Sequence, residues 1–342
     1  MDTSDDRPTP PAPPPKDAHE EPVRPESADP ETADVATAGA APIDPETVDR
    51  LRLAGTAGLS PRVIARLVRE FGSAVAVLRA SPERLAAVPG MGPARAGLLA
   101  AAPSADDVLR DLGRARAAAA TVLVPGGPGW PAALSDLSDP PPVLWCRGDL
   151  AGTFGRGAAA ALGGRGVAIV GSRRASNYGT AQAHALAHAL ATLGVPIVSG
   201  LARGIDAAAH RGALSAGGPT VGVLGGGLAR FYPPENLALA REMVAKGGAV
   251  VSEFALDLAP LPHHFPRRNR LIAALAAAVV VVEAAEESGS LLTADHALDL
   301  GREVLAVPGR VDQPNSRGVH RLLREGAAIC ESAADVLAAL GI

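Results

Sequence analysis

Between Gly171 and Ser290 the chain carries five short stretches whose residue types suit one task, holding an anion. GSRRASNYG (Gly171–Gly179) offers a glycine where the backbone can turn sharply, the Ser172 hydroxyl, and two guanidinium groups, Arg173 and Arg174. Amide hydrogens in such a turn, just ahead of a helix, face a bound phosphate. Charged arginine donors strengthen the hold. SGLARGIDAAAH (Ser199–His210) repeats the pattern with Ser199, Gly200 and Gly204, and sets Asp206 in a first helical turn, where a carboxylate is favourable. GGG (Gly225–Gly227) must bring the backbone close to something. FPRRNR (Phe265–Arg270) clusters Arg267, Arg268 and Arg270 around Asn269 at the start of an expected helix. Cations there gain nothing from the helix dipole, so an anionic ligand is the economical reason for them. Last, Ser288, Gly289 and Ser290 form a polar turn in which Ser290 reads as a helix N-cap, with Thr293 one turn on.

Several enzyme chemistries fail on spacing. A phosphate-binding Walker loop needs Gly-Lys followed by Ser or Thr, and Lys246 is followed by Gly247. A dinucleotide fingerprint needs a third glycine where Arg230 stands. His184 and His188 have the spacing of zinc ligands on a helix, but Ala185 occupies the place of the metalloprotease glutamate. Glu253 and Glu283 could donate a proton, yet neither comes with a paired nucleophile or base; a carboxylate closing an apolar strand usually pairs with arginine. No cofactor is implied.

The elements that must position these turns are legible in the hydrophobic pattern. Apolar strands fall near 167–170, 195–199, 220–224, 249–252, 278–283 and 303–307, each followed by a helical stretch. Continuous apolar runs such as AVVVVEA are expected when helices cover both faces. A doubly wound, mostly parallel α/β sheet follows, with ligands at the carboxyl ends of its strands. Residues 121–150 read as two further strands around a Pro-rich turn, which extends the sheet domain to 121–342 around a core at 165–330.

Upstream, residues 43–105 have helical spacing, with Val63, Ile64, Leu67, Val68 and Phe71 on one stripe. VPGMGPARA (Val88–Ala96) resembles the hairpin of a helix-hairpin-helix module, whose amides could face a phosphate with help from Arg95. Residues 1–42, with ten prolines and few large apolar side chains, cannot offset chain entropy and are expected to be a disordered acidic tail.

The net charge of −4 hides a partition. Residues 1–42 hold ten acidic and three basic side chains, or −7, leaving 26 acidic and 29 basic in 43–342, or +3. Global acidity is therefore no argument against nucleic acid. Cys146 and Cys330 are too few for a disulfide framework or a four-cysteine zinc site and read as buried thiols. The longest apolar run, Leu271 to Val282, is twelve residues, short of the roughly 20 that span a bilayer. With neither a membrane span nor a secretory start, a cytoplasmic protein is expected.

These motifs carry a resemblance. IVGSRR, SGLARGID, SEF, FPRRNRLIA, VVEAAEESGSLLTA, GREVLAVPG and GVHRLLREGA occur in the order and spacing of DprA/Smf DNA-processing proteins, and GWPAALSDLSDPPPVLWCRGDL (Gly129–Leu150) resembles the segment before their Rossmann-like fold. The resemblance implies a homodimer that binds single-stranded DNA, protects it and loads RecA recombinase during recombination and natural transformation. It places DNA contacts at Gly171, Ser172, Arg173, Arg174, Ser199, Gly200, Gly204, Arg267, Asn269, Arg270, Ser288, Gly289 and Ser290, and the dimer seam at His320, Leu323 and Ile329. SEFALDLAP, RNRLIAALA and DQPNSRGVHRLL depart from the family pattern, so a different shape is expected before Phe265 and around Asn315. The winged-helix domain of some members is not expected after Ile342.

The alternative is a nucleotide phosphoribohydrolase of the lonely-guy type, whose sheet is related. Its PGGxGTxxE loop is not matched, because PGG at Pro125–Gly127 continues PGWPA and lies before the main sheet. With nine aromatic residues in the chain, the grip should be mainly electrostatic rather than a stacking platform.

Overall fold

The computed structural model describes residues 43–155 and 157–342, so the expectation for the 1–42 tail lies outside the described residues. Among the described residues, nine strands form one sheet in the order β1-β2-β6-β5-β4-β3-β7-β8-β9. The parallel core comprises β3 (Gly166–Val170), β4 (Ile197–Ser199), β5 (Thr220–Val223), β6 (Ala249–Ser252), β7 (Ala276–Val281), β8 (Glu303–Ala306) and β9 (Ala328–Ile329). β1 (Ala120–Leu123) and β2 (Leu144–Gly148) add antiparallel, β2 running against β6 with Trp145 opposite Ser252.

Alternation along the strands divides the core between two faces. Val167 and Ile169 of β3 pack with α9 (Asn177–Thr192) and α10 (Ile205–Ser215), while Ala168 and Val170 face the side covered by α12 (His264–Ala274) and α13 (Leu291–Asp299). α7 (Leu150–Phe154), α8 (Gly157–Ala161), α11 (Leu237–Ala245), α14 (Arg317–Arg324) and α15 (Ala333–Ala339) complete the helical layers. Both faces are buried, which is why β7 reads as an unbroken apolar run. From β3 the chain moves outward through β4, β5 and β6, then returns to place β7 on the other side of β3. The order therefore reverses at β3 and β7.

The amino-terminal helices are α1 (Pro45–Gly55), α2 (Pro61–Phe71), α3 (Ala74–Arg79), α4 (Pro82–Ala86), α5 (Gly92–Leu98) and α6 (Ala105–Ala117). Ser60, Ser73 and Ser81 cap α2, α3 and α4, each accepting the backbone N–H three residues on. Leu53, Ile64, Leu67, Val77, Leu85 and Met91 make a small core of their own. α1 and α6 reach further: Val48, Leu51, Val108 and Leu112 pack with Trp145, Leu201 and Leu224 of the sheet domain. Among the described residues, no helix is long and apolar enough to cross a membrane. Cys146 and Cys330 are free and buried, and burial pushes their pKa values up to about 11 and about 12.

Candidate nucleic-acid interface

A groove of about 1170 Å³ opens beyond the carboxyl ends of β3 and β7, at the reversal in strand order where ligands of such sheets bind. Its walls are the loop after β3, the loop after β7, the segment 260–269, and residues 313–315.

The loop after β3 is tied at both ends. The Ser172 N–H donates to the Glu283 carbonyl at 2.7 Å, and the Ser172 carbonyl accepts from the Ile205 N–H at 3.2 Å. Gly204 makes this approach possible: its φ is +72°, and a Cβ there would stand 2.3 Å from the Ser172 carbonyl oxygen. Farther on, Ser176 donates its N–H to Glu283 Oε2 at 2.9 Å and its hydroxyl to Oε1. The same hydroxyl caps α9 by accepting the Gly179 N–H at 3.0 Å. Arg173 and Arg174 are left exposed on the groove wall. Arg173 lies over the Phe265 ring, 4.7 Å from its centroid, and Tyr232 meets Phe265 edge-on at 6.0 Å.

The floor is built around Arg268, which is 3 % exposed and lines the groove. Its guanidinium donates to the Gly200 carbonyl at 2.7 Å and to the Val223 carbonyl. A Cβ on Gly200 would stand 2.3 Å from that guanidinium, so the glycine here makes room for arginine. Burial pulls the Arg268 pKa down to about 10, with Asp206 acting against the shift, and the side chain stays charged at neutral pH. Asp206 accepts from the Gly200 and Ala202 N–H groups at 3.1 and 3.3 Å. Burial pushes its carboxyl up, while Arg268 and those amides hold it down, and burial prevails.

The expected contact residues are thus divided. Gly171, Ser172, Arg173, Arg174, Asn269, Ser288, Gly289 and Ser290 line the groove together. Two side chains must be corrected. Ser199 is fully buried and donates its hydroxyl to the Ile169 carbonyl at 2.7 Å. Arg270 is 4 % exposed, forks onto Glu253 at 2.8 and 2.9 Å, and donates through Nε to Asp139 at 3.0 Å. Arg267 shares Glu253 at 3.0 Å and lies over Phe254, off the groove lining. Gly200 and Gly204 shape the wall without lining the main groove.

Ser290 stands at the N-cap position of α13 but caps nothing; its hydroxyl pairs with that of Ser288 at 2.8 Å. Asn269 donates to the Gly289 carbonyl at 2.9 Å, and the Gly289 N–H has no acceptor among the described residues. The triple glycine serves the chain itself, since Cβ atoms on Gly225, Gly226 and Gly227 would strike Phe265, Pro260 and the Ala255–Leu256 carbonyls.

Arg268 belongs to the cationic cluster of the sequence but not to the contacts the resemblance implied; the Phe265–Tyr232 pair was missed, as was the role of Asn315, which donates to the Arg174 carbonyl at 2.9 Å and whose own carbonyl accepts the Ala284 N–H at 2.7 Å. FPRRNR does contain Phe265 and Arg268, but nothing in its spacing says which guanidinium faces inward. Glu283 also differs from expectation: it pairs with serine, whereas Glu253 pairs with arginine. Pro125–Gly127 lies between β1 and β2 at the antiparallel edge and contributes nothing to the groove lining. Of the expected seam residues, His320 hydrogen-bonds the Gly309 carbonyl at 3.0 Å, Leu323 packs partly against the core, and Ile329 is 57 % exposed on edge strand β9.

The model of the family described as DNA recombination-mediator protein A matches residues 121–341. Protein Smf of Escherichia coli is 46 % identical over 198 residues, 58 % of this chain and 53 % of that protein. Protein Smf of Synechocystis is 34 % identical over 284 residues, 83 % of this chain and 70 % of that protein. Matching thus spans about half the length of the E. coli relative. Among solved structures, DNA processing protein A of Streptococcus pneumoniae superposes with a TM-score of 0.72 at 32 % identity, covering 85 % of this chain and 97 % of the other. That of Helicobacter pylori gives 0.56 at 30 % identity, covering 65 % and 95 %. With the matched region taking in all of the sheet but its first residue, and every segment that walls its groove, the chain belongs to the DNA recombination-mediator protein A family, that of DprA and Smf.

Proposed function

We propose that the groove holds single-stranded DNA, and that the protein shields such strands and hands them to RecA recombinase in recombination and natural transformation. The observation that carries this reading is the gathering of Arg173, Arg174, Arg268 and the Ser288–Ser290 turn around one open groove at the strand-order reversal. Polyanion binding follows from such a charge and amide arrangement. The H. pylori neighbour, which shares this fold at 30 % identity, is described by its single-stranded DNA binding mode. The family description, a recombination mediator, supports the transfer to RecA.

Binding rather than catalysis suits the carboxylates, since Glu283 and Glu253 are engaged by Ser176, Arg267 and Arg270. Phe265 and Tyr232 supplement the electrostatic grip, offering a base one aromatic corner beside Arg173. Assembly as a homodimer through His320, Leu323 and Ile329 is part of the proposal, supported by the exposure of Ile329 on an edge strand.

A polarisation titration of single-stranded and duplex oligonucleotides across a salt series tests the reading. The single strand should bind more tightly, with log affinity falling by about 0.7 per neutralised phosphate per decade of salt. A flat salt response, or no preference for the single strand, would reject it. Release of free base from a nucleoside monophosphate would point to hydrolase chemistry instead.

A further inference from the structure

The positive charge of the described chain is concentrated away from the groove. Residues 56–102 contain six arginines and two glutamates, +4, so the remaining residues of 43–342 sum to −1. Arg62, Arg66 and Arg69 stand at i, i+4 and i+7 on α2, within an arc of about 60° at 100° per residue. Ile64, Leu67 and Phe71 occupy the opposite side and pack into the small helical core. From α5, Arg95 joins the same face: its guanidinium donates to the Gly90 carbonyl, and that of Arg66 donates to the adjoining Pro89 carbonyl. The two side chains therefore flank one turn.

These arginines have no carboxylate partner among the described residues. Glu70 lies four residues from Arg66, where a helix pair could form, yet Arg66 turns to the hairpin instead. Exposed arginines elsewhere, such as Arg110, Arg114, Arg203 and Arg310, each hold an aspartate or glutamate. An unneutralised stripe of like charge is costly to keep together without an anion.

We propose that this face, Arg62, Arg66 and Arg69 of α2 with Arg95 of α5, is a second nucleic-acid site that grips the phosphate backbone of duplex DNA. Phe71 is held on the core side of α2, under Arg84, so the arginine face has no stacking surface. Backbone contact without stacking does not require an unpaired base. The groove and this face would then hold the single-stranded and duplex parts of one junction. The proposal rests on the nucleic-acid reading of the protein, but a duplex probe does not report on the groove.

The test uses the full chain and a blunt 20-base-pair duplex. Changing Arg62→Glu and Arg69→Glu together should weaken duplex binding by about tenfold or more and make the log–log salt dependence shallower by about 2. Arg62→Lys with Arg69→Lys should keep the affinity within about threefold, which separates charge from folding. Arg173→Ala with Arg174→Ala should leave the duplex bound and release a short single strand, so failure of the groove reading shows separately. The proposal is overturned if the unaltered chain binds no duplex, if the glutamate pair leaves affinity and salt slope unchanged, or if the lysine pair fails as badly as the glutamate pair.

Discussion

Glu283 and Ser176 are 107 positions apart in the chain and meet through two hydrogen bonds, the Ser176 N–H donating at 2.9 Å and its hydroxyl donating to the other carboxylate oxygen. One buried carboxylate at the end of β7 thereby fixes the start of α9 and, with it, the loop that presents Arg173. Glu283→Ala should cost about 2 kcal/mol of stability by leaving a polar N–H unmatched. Urea unfolding would measure it, and single-strand affinity should fall in the same variant; an unchanged midpoint would remove Glu283 from this role.

Two glycines of the site should respond in opposite ways. Gly204→Ala meets both a positive φ and the Ser172 carbonyl, and should destabilise by more than about 2 kcal/mol. Gly289 has open space around its Cβ position, so Gly289→Ala should leave stability within about 0.5 kcal/mol. If the Gly289 turn approaches a phosphate closely, that variant loses single-strand affinity while folding normally. Equal thermal shifts for the two variants would contradict the geometry.

Arginines of the same neighbourhood should separate just as cleanly. Arg270→Ala strips the buried Glu253 of its forked partner and should cost about 3–5 kcal/mol. Arg173→Ala, at an exposed position, should leave the unfolding midpoint in place and weaken single-strand binding. Normal stability of Arg270→Ala would refute the packing role assigned to it.

His210 is fully buried, its Nδ1 2.7 Å from the Thr220 hydroxyl, and burial together with Arg268 and Arg211 lowers its pKa to about 3. The unfolded histidine, near pH 6.5, takes up a proton that the folded one refuses. Stability from this residue is therefore complete above about pH 6.5 and declines as pH falls toward 3, by about 1.4 kcal/mol per unit. Asp206, pushed up by burial, acts with the opposite sign and gains stability as pH falls. Comparing unfolding of the unaltered chain and His210→Gln from pH 7 to 4.5 isolates the histidine: the variant should show the shallower loss, and parallel curves would refute the assignment.

Ile329→Asp places a charge on the exposed edge strand β9. Sedimentation should show the unaltered chain as a dimer and this variant as a monomer with an unshifted unfolding midpoint. A monomeric unaltered chain would dismiss the seam.

The parallel strands were legible because burial on both faces leaves an apolar run that polar helix surfaces interrupt. β9 was not, because two exposed residues, Ala328 and Ile329, leave no pattern to read. Within the site, residue type told less than direction. Ser172 and Ser199 both adjoin a glycine where a strand gives way to a loop, yet Ser199 still belongs to β4 and points its hydroxyl at β3, while Ser172 lies two residues past β3. On α12, a step of about 100° separates Arg267 from Arg268; it sends one guanidinium to Glu253 and the next to the groove floor. The spacing of FPRRNR cannot reveal that rotation without knowing where Glu253 and Asp139 lie.

The antiparallel pair β1 and β2 sits along β6 and has a consequence for anyone dividing the protein. A fragment begun at Gly166 would keep every groove loop but strip β6 of its neighbour, baring a row of amides and carbonyls beside Val250 and Val251 that other copies could zip onto. It would also lose Leu134, Leu144 and Cys146, which plug one side of the core. The shortest piece that keeps β6 paired therefore starts near Ala120, because a hairpin far from the ligand shields the sheet edge from its own kind.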